Sequence, residues 1–148
     1  MIYLDSNYIV RCYLLEHGSA EVLKLVQKAR GCCSLSLAKI ECVAAFKRHQ
    51  RENAIDAEGL QKALSFFAQD DAQEVWTYFP VSNALISSAC ARLQTLPPNV
   101  YCRSADALHL TCASEQGFRE IYSHDRHLLA SAAFFGLKGI DIIPKAPR

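Results

Sequence analysis

The sequence has no surplus of charge of either sign. Sixteen Lys and Arg stand against fifteen Asp and Glu among 148 residues, a formal net charge of +1. That balance excludes a protein that binds nucleic acid through its whole surface, and it leaves a local site open. Long hydrophobic runs are missing too. The longest mostly apolar stretch, Leu128 to Leu137, is far short of the ~18 residues a membrane span needs, and Ser131 and Gly136 interrupt it. No basic segment precedes an apolar one at the N-terminus, Met-Ile-Tyr-Leu-Asp, so it does not read as a secretory signal. There is no internal repeat, low-complexity tract or linker, and the one Pro-Pro pair, Pro97-Pro98, reads as a loop within the domain.

Paired cysteines are also lacking. The seven cysteines stand at 12, 32, 33, 42, 90, 102 and 112, an odd number with no pair at the two-residue gap of a metal knuckle or redox motif. With no export signal, the expectation is reduced thiols in a cytoplasm, mostly buried as small apolar groups. What is present is ordinary: 51% apolar and 21% charged residues, as in a globular domain. The length fits one domain over residues 1–148, able to bury roughly two-thirds of its unfolded surface.

The chain alternates between two periodicities. Ile2-Tyr3-Leu4 is a short apolar run ending at Asp5, and it reads as a buried strand. Ser6 or Asn7 is placed to cap a helix through Tyr13. After the break at Gly18-Ser19, the residues Ala20, Leu23 and Val26 mark a helical face. Cys32 to Leu35 reads as a strand and Leu37 to Arg51 as a helix, with Ile40, Val43 and Ala44 on one face. Asp56 caps a further helix carrying Leu60, Ala63, Leu64 and Phe67. Val75 to Val81 is a strand, with Trp76 in the core, and Ser82 caps a helix through about Leu93. Ser104 caps a helix through Ser114, with Gly117 as its stop. Glu120 to Ser123 is a strand, Ser123 or Asp125 starts a helix closed by Gly136, and Gly139 to Ile143 is the last strand. Strands separated by helices imply an α/β fold, a three-layer α/β/α arrangement around a mostly parallel sheet. Ligand sites in such sheets gather at the carboxyl ends of the strands.

Four acids fall where that rule points. Asp5 follows the first strand and Asp125 follows the strand ending at Ser123. Asp106 is in the first turn of its helix, and Glu41 is near the start of the helix after the second strand. Each has a plainer explanation. Asp106 suits the positive end of a helix, Asp125 suits an N-cap, and Asp5 suits a loop. Glu41 is harder to dismiss, because Ile40, Cys42 and Val43 flank it and a carboxylate beside an apolar face is costly unless paired. Several carboxylates at one edge stay ionised together only if a cation offsets their charge. Oxygen-only ligands favour Mg²⁺ or Mn²⁺, ions suited to phosphate chemistry.

On these residues the chain resembles the PIN-domain ribonucleases, and within them the toxins of VapBC-type toxin–antitoxin pairs. The matching segments are Met1 to Asn7, Ile40-Glu41, Arg103-Ser-Ala-Asp106-Ala-Leu-His109-Leu, Ile121-Tyr-Ser123-His-Asp125-Arg-His-Leu128 and Ala133-Phe-Phe-Gly136-Leu. The resemblance runs over essentially the whole chain. It implies a metal-dependent endoribonuclease in which Asp5, Glu41, Asp106 and Asp125 form the acidic quartet. Ser6 and Ser123 then match the hydroxyl positions beside the first and last acids. Asp5, Asp106 and Asp125 would hold one or two Mg²⁺ or Mn²⁺ ions, with Glu41 completing the shell or orienting the attacking water. Products with 5′-phosphate and 3′-hydroxyl ends, a homodimer and a neutralising antitoxin are further implications. Two departures stand out. Ser123 replaces the more common Thr but keeps the hydroxyl, and His124 is bulkier and more polar than a typical member carries.

Other features carry less. Arg103, His124 and Arg126 lie beside the acids and are expected to contact the RNA backbone. Lys47, Arg48, His49 and Arg51 form the densest basic cluster, which suits either phosphate contact or a solvated helix end. His124 and His127 have no nearby cysteine to make a zinc site. His109, between Leu108 and Leu110, reads as a hydrogen-bonded helix histidine. The rival from another class is a PIN-like module that binds RNA or protein without catalysis. A phospho-receiver domain would need an adjacent acid pair after the first strand, and a haloacid-type phosphatase an Asp where Asn7 stands.

Overall fold

The structure, a computed structural model, describes residues 1–146. In chain order its elements are β1 (Ile2–Tyr3), α1 (Ser6–Val10), α2 (Ser19–Lys28), β2 (Cys32–Leu35), α3 (Leu37–Arg51), α4 (Ala57–Ala72) and β3 (Trp76–Phe79). There follow α5 (Asn83–Thr95), α6 (Ser104–Glu115), β4 (Glu120–Tyr122), α7 (Arg126–Ser131), a 3-10 turn (Ala132–Phe135) and β5 (Lys138–Ile140).

All strand pairs are parallel. β2 lies between β1 and β3, and β4 pairs with β5. A parallel bridge from Leu4 to Tyr122, with the Asp5 N–H donating to the Tyr122 carbonyl at 2.9 Å, joins β1 to β4. The order across the molecule is therefore β3-β2-β1-β4-β5. Earlier strands lie to one side of β1 and later strands to the other, so the chain reverses its direction of travel between β1 and β4. The crevice beyond the carboxyl ends at such a reversal is where open α/β sheets place their ligands.

Alternation along the strands sorts the core into two layers of packing. Leu4, Cys32 and Trp76 face α1 to α4, where Tyr8, Ile9, Val22, Cys42, Phe46 and Phe67 are buried. Tyr3, Cys33, Leu35 and Ile121 face the other side, against Leu85, Ala107, Leu110, Leu128 and Phe135. The result is the three-layer α/β/α fold. All four residues of β2 are buried, as expected for a central strand covered on both faces. The seven cysteines are free thiols, four of them buried. No helix is long and apolar enough to cross a membrane among the described residues.

The packing corrects several local readings. In α2 the buried positions are Ser19 and Val22, whereas Ala20 and Leu23 face solvent. The Ser19 hydroxyl donates to the Leu14 carbonyl at 2.8 Å and fixes that rotation. In α3 the core face is Ala38, Cys42 and Phe46, and Ile40 is 67% exposed. Periodicity weights Ile and Val above Ala and Cys, yet small residues are what allow α3 to lie close to α1. The cap of α1 is Asp5 itself, which accepts from the Ser6 N–H, and the helix ends at Val10. α6 is capped at Arg103 rather than Ser104. The last strand is Lys138–Ile140, and Ile143 leaves the sheet to pack on Gly18. Gly18 has φ +86°, and a Cβ there would stand 2.5 Å from Ile143, so both backbone and space demand glycine.

Candidate active site

The four sequence-selected acids all line one open groove of about 780 Å³. Each arrives there by a different local device. Asp5 leaves β1 and caps α1, with Oδ1 accepting from the Ser6 N–H at 2.7 Å. Its Oδ2 accepts from the Ser123 hydroxyl at 2.7 Å and from Asn7 Nδ2 at 2.5 Å. Asp125 caps α7, with Oδ1 accepting from the N–H groups of His127 and Leu128 at 2.8 and 3.2 Å. Asp106 sits at the third position of α6 and accepts from the Arg103 N–H at 3.4 Å. Glu41 lies just over a turn into α3. The capping roles are thus present, and they aim the same carboxylates at one edge. Helix N-termini favour negative charge, which lowers the cost of gathering three acids there.

Ser123 ties the strand ends together. Fully buried, it donates to Asp5, accepts from Asn7 Nδ2 at 3.0 Å, and accepts from the Asp125 N–H at 2.9 Å. Asn7 Oδ1 accepts from the His124 N–H at 3.1 Å. Asn7, read from sequence only as a possible cap and part of a motif, is therefore a bridge between β1 and the loop after β4.

Two basic side chains hold the acids. His109, 1% exposed, donates from Nε2 to Glu41 Oε2 at 2.7 Å, and its Nδ1 lies 3.2 Å from the Tyr3 hydroxyl. Burial opposes a charged imidazole, but the Glu41 hydrogen bond and the charges of Asp5, Glu41 and Asp106 outweigh it and raise its pKa. Burial likewise pushes Glu41 up, and the bond and charge of His109 bring it below the usual carboxylate value. Asp5 goes the other way. Its burial dominates over the charge of His109 and the Ser123 bond, so its carboxyl titrates above the ordinary range.

Arg103 serves the other two acids. Its Nε donates to Asp106 Oδ2 at 2.9 Å and its Nη2 reaches Asp125 Oδ2, so one guanidinium spans both carboxylates. Burial raises Asp125, while the two helix N–H bonds and Arg103 bring it below the ordinary value. Arg103 was selected from sequence for backbone contact, and it lines the groove with that side chain committed to the acids. His124 also lines it, with Nδ1 2.8 Å from Asp141 Oδ2. Arg126 is exposed and outside the groove lining. Ser6 lies in the groove with its hydroxyl 3.4 Å from Asp5 Oδ1.

Asp5, Glu41 and His109 each bring a donor atom within 4.8 Å of the others, the one such group of His, Cys, Asp and Glu among the described residues. The expected trio of Asp5, Asp106 and Asp125 is not gathered that tightly, and Arg103 bridges the last two. His109 Nε2 is engaged with Glu41 and its Nδ1 faces the Tyr3 hydroxyl, so both ring nitrogens already have partners. The remaining donors are carboxylate oxygens, a set that fits a hard divalent cation. The sequence reads His109 as a hydrogen-bonded helix histidine, which it is, but does not name Glu41 as its partner. The signal was available: His109 lies three residues after Asp106, one helical turn along the same face, and Glu41 required a partner.

The family model of the PIN domain matches residues 2–134, and the chain belongs to the PIN domain family. PIN domains are generally metal-dependent nucleases, and the groove carries an acidic cluster of the kind that chemistry uses. No curated protein matches the chain.

Proposed function

We propose that this chain is a Mg²⁺- or Mn²⁺-dependent endoribonuclease, one cytoplasmic domain over residues 1–148 and the toxin of a toxin–antitoxin pair. The observation that supports this most is the convergence of Asp5, Glu41, Asp106 and Asp125 on one groove at the β1/β4 reversal. A divalent cation held by these carboxylates supplies charge to a phosphoryl oxygen and a water that ionises near neutral pH. Asp5, Asp106 and Asp125 are its ligands in this reading. Glu41, held by His109, orients the attacking water. Ser6 and Ser123 keep Asp5 in place, and Arg103, released from the acids, joins His124 and Arg126 along the RNA backbone. A homodimer and an antitoxin that covers the groove complete the proposal.

The purified chain should cleave RNA with Mn²⁺ or Mg²⁺, leave 5′-phosphate ends, and stop on chelation. RNA that stays intact under those conditions overturns the nuclease reading. A short neighbouring gene for a DNA-binding protein with a flexible tail supports the toxin role. One observation favours the second reading, a binding module without catalysis: Arg103 already spans Asp106 and Asp125. Such a module binds little Mn²⁺ in a calorimeter.

A further inference from the structure

The groove has a second end that the acids do not use. Along α3 its lining runs from Glu41 through Ala44 and Ala45 to Arg48 and Arg51. These positions repeat at helical spacing and share a face. Glu41 and Arg48 are seven residues apart, about 10.5 Å along the helix. The two alanines between them keep the floor low, so an extended chain can lie across it.

Four basic residues surround this end, and they are not equivalent. Arg11 Nη1 is 3.5 Å from Glu16 Oε1, and Arg11 also donates to the carbonyls of Asn7 and His17 at 2.8 and 3.0 Å. His49 Nε2 is 3.3 Å from Glu16 Oε2 and its Nδ1 is 2.8 Å from the Ala45 carbonyl. Glu16 therefore engages both. Arg48 and Arg51 are exposed and make no ion pair among the described residues. Lys47, equally charged and adjacent, lies outside the groove lining and donates to Gln50 Oε1 at 3.0 Å.

We propose that Arg48 and Arg51 form a phosphate subsite that grips the backbone of a single-stranded RNA beside the acidic centre. This rests on the RNA reading above and specifies the substrate further. About two helical turns separate the two ends, a separation that suits successive phosphates of one strand. The ligand this favours is an extended strand with phosphates at both places rather than a mononucleotide. Neutralising the negative end of the α3 dipole explains Lys47 as well as it explains Arg48, and so it does not account for which of the two faces the groove.

The test is the salt dependence of binding to a labelled single-stranded RNA, with Ca²⁺ present, over a time in which the RNA stays intact. Each lost phosphate contact on a single strand lowers the slope of log K against log salt by about 0.7. Arg48→Gln and Arg51→Gln should each show that loss, about 1.4 together, while Lys47→Gln keeps the wild-type slope. All three positions are exposed, so folding is not at stake, and the matched far-ultraviolet spectra check it. If wild type binds and the two arginine variants keep its slope, the subsite is overturned and the RNA reading stands. The subsite is equally overturned if Lys47→Gln loses as much slope as they do. If wild type binds no RNA at any salt, the RNA reading falls and the subsite with it.

Discussion

The acidic centre consists of two unlike pairs. The inner pair, Asp5 and Glu41, faces a histidine that is 1% exposed. The outer pair, Asp106 and Asp125, shares an arginine side chain that is 48% exposed. Both basic side chains pair with the gathered carboxylates, but they differ in their freedom to leave. His109 is packed on all sides and bonded at both nitrogens, so it is part of the frame. Arg103 is a long side chain at the mouth of the groove, whose half-exposed ion pairs are individually weak. A divalent cation entering the proposed site would therefore compete with Arg103 and leave His109 in place. A fixed inner pair and an exchangeable outer one would let the centre stay folded without metal and still accept it.

The largest effect is expected from cutting the inner pair at its proposed ligand. Asp5→Asn should lower metal-dependent RNA cleavage by at least about 100-fold, since partners of ligands alone are worth 10- to 100-fold. The same variant should lose the fall in stability with rising pH that Asp5 gives wild type without metal. The sign follows from the raised carboxyl of Asp5. Its stabilising share is complete below the unfolded value of about 3.9 and is lost as pH rises through the higher folded value, a loss that a neutral Asn does not suffer. Thermal melts with chelator, from acid to neutral pH, check this.

Next is the frame itself. Removing one partner of a buried ion pair costs about 3–5 kcal/mol, and Glu41, with 25% of its side chain exposed, places His109→Gln near about 3. The pH signature is specific. The lowered Glu41 contributes above about 4.3 and fails as pH falls through its folded value, whereas the raised His109 contributes below about 6.5 and fails as pH rises through its own. The pair is strongest between those limits, and the variant should lose that maximum in a series of denaturant unfolding curves.

Ser123→Ala cuts the link between the two pairs. It leaves Asp5 Oδ2 with Asn7 alone and frees the Asp125 N–H. A fall of about 10-fold in cleavage is expected, with kcat rather than KM taking the loss. Smallest is the change at the exchangeable cation. Arg103→Gln removes a competitor worth about 1 kcal/mol or less, so Mn²⁺ should bind about 2- to 5-fold more tightly. Weaker Mn²⁺ binding in that variant would mean that Arg103 builds the outer pair instead of standing in for its metal.

Much of this arrangement was legible in the sequence, for identifiable reasons. Strand ends and helix starts are marked by local residues, so alternation alone placed Asp5, Asp125 and Asp106 at one edge of a parallel sheet. Glu41 stood out because a carboxylate among Ile40, Cys42 and Val43 needs a partner. The partner itself did not stand out, because His109 and Glu41 are 68 residues apart and meet only when α6 and α3 pack on opposite sides of β1 and β2. The rotation of α2 and α3 was misread for a related reason. Ala38 and Cys42 are buried by their fit against α1, which is a property of the pair of helices and not of hydrophobicity along one. The bridging of Asp106 and Asp125 by Arg103 is likewise tertiary, although its i, i+3 half was visible in the motif.

Titration of Mn²⁺ into wild type and Asp5→Asn by calorimetry bears most directly on the acidic groove as a cation site. A centre built on the inner pair predicts saturable heat in wild type and at least about 10-fold weaker binding in the variant. Identical isotherms for the two proteins, or no heat from wild type, would contradict it.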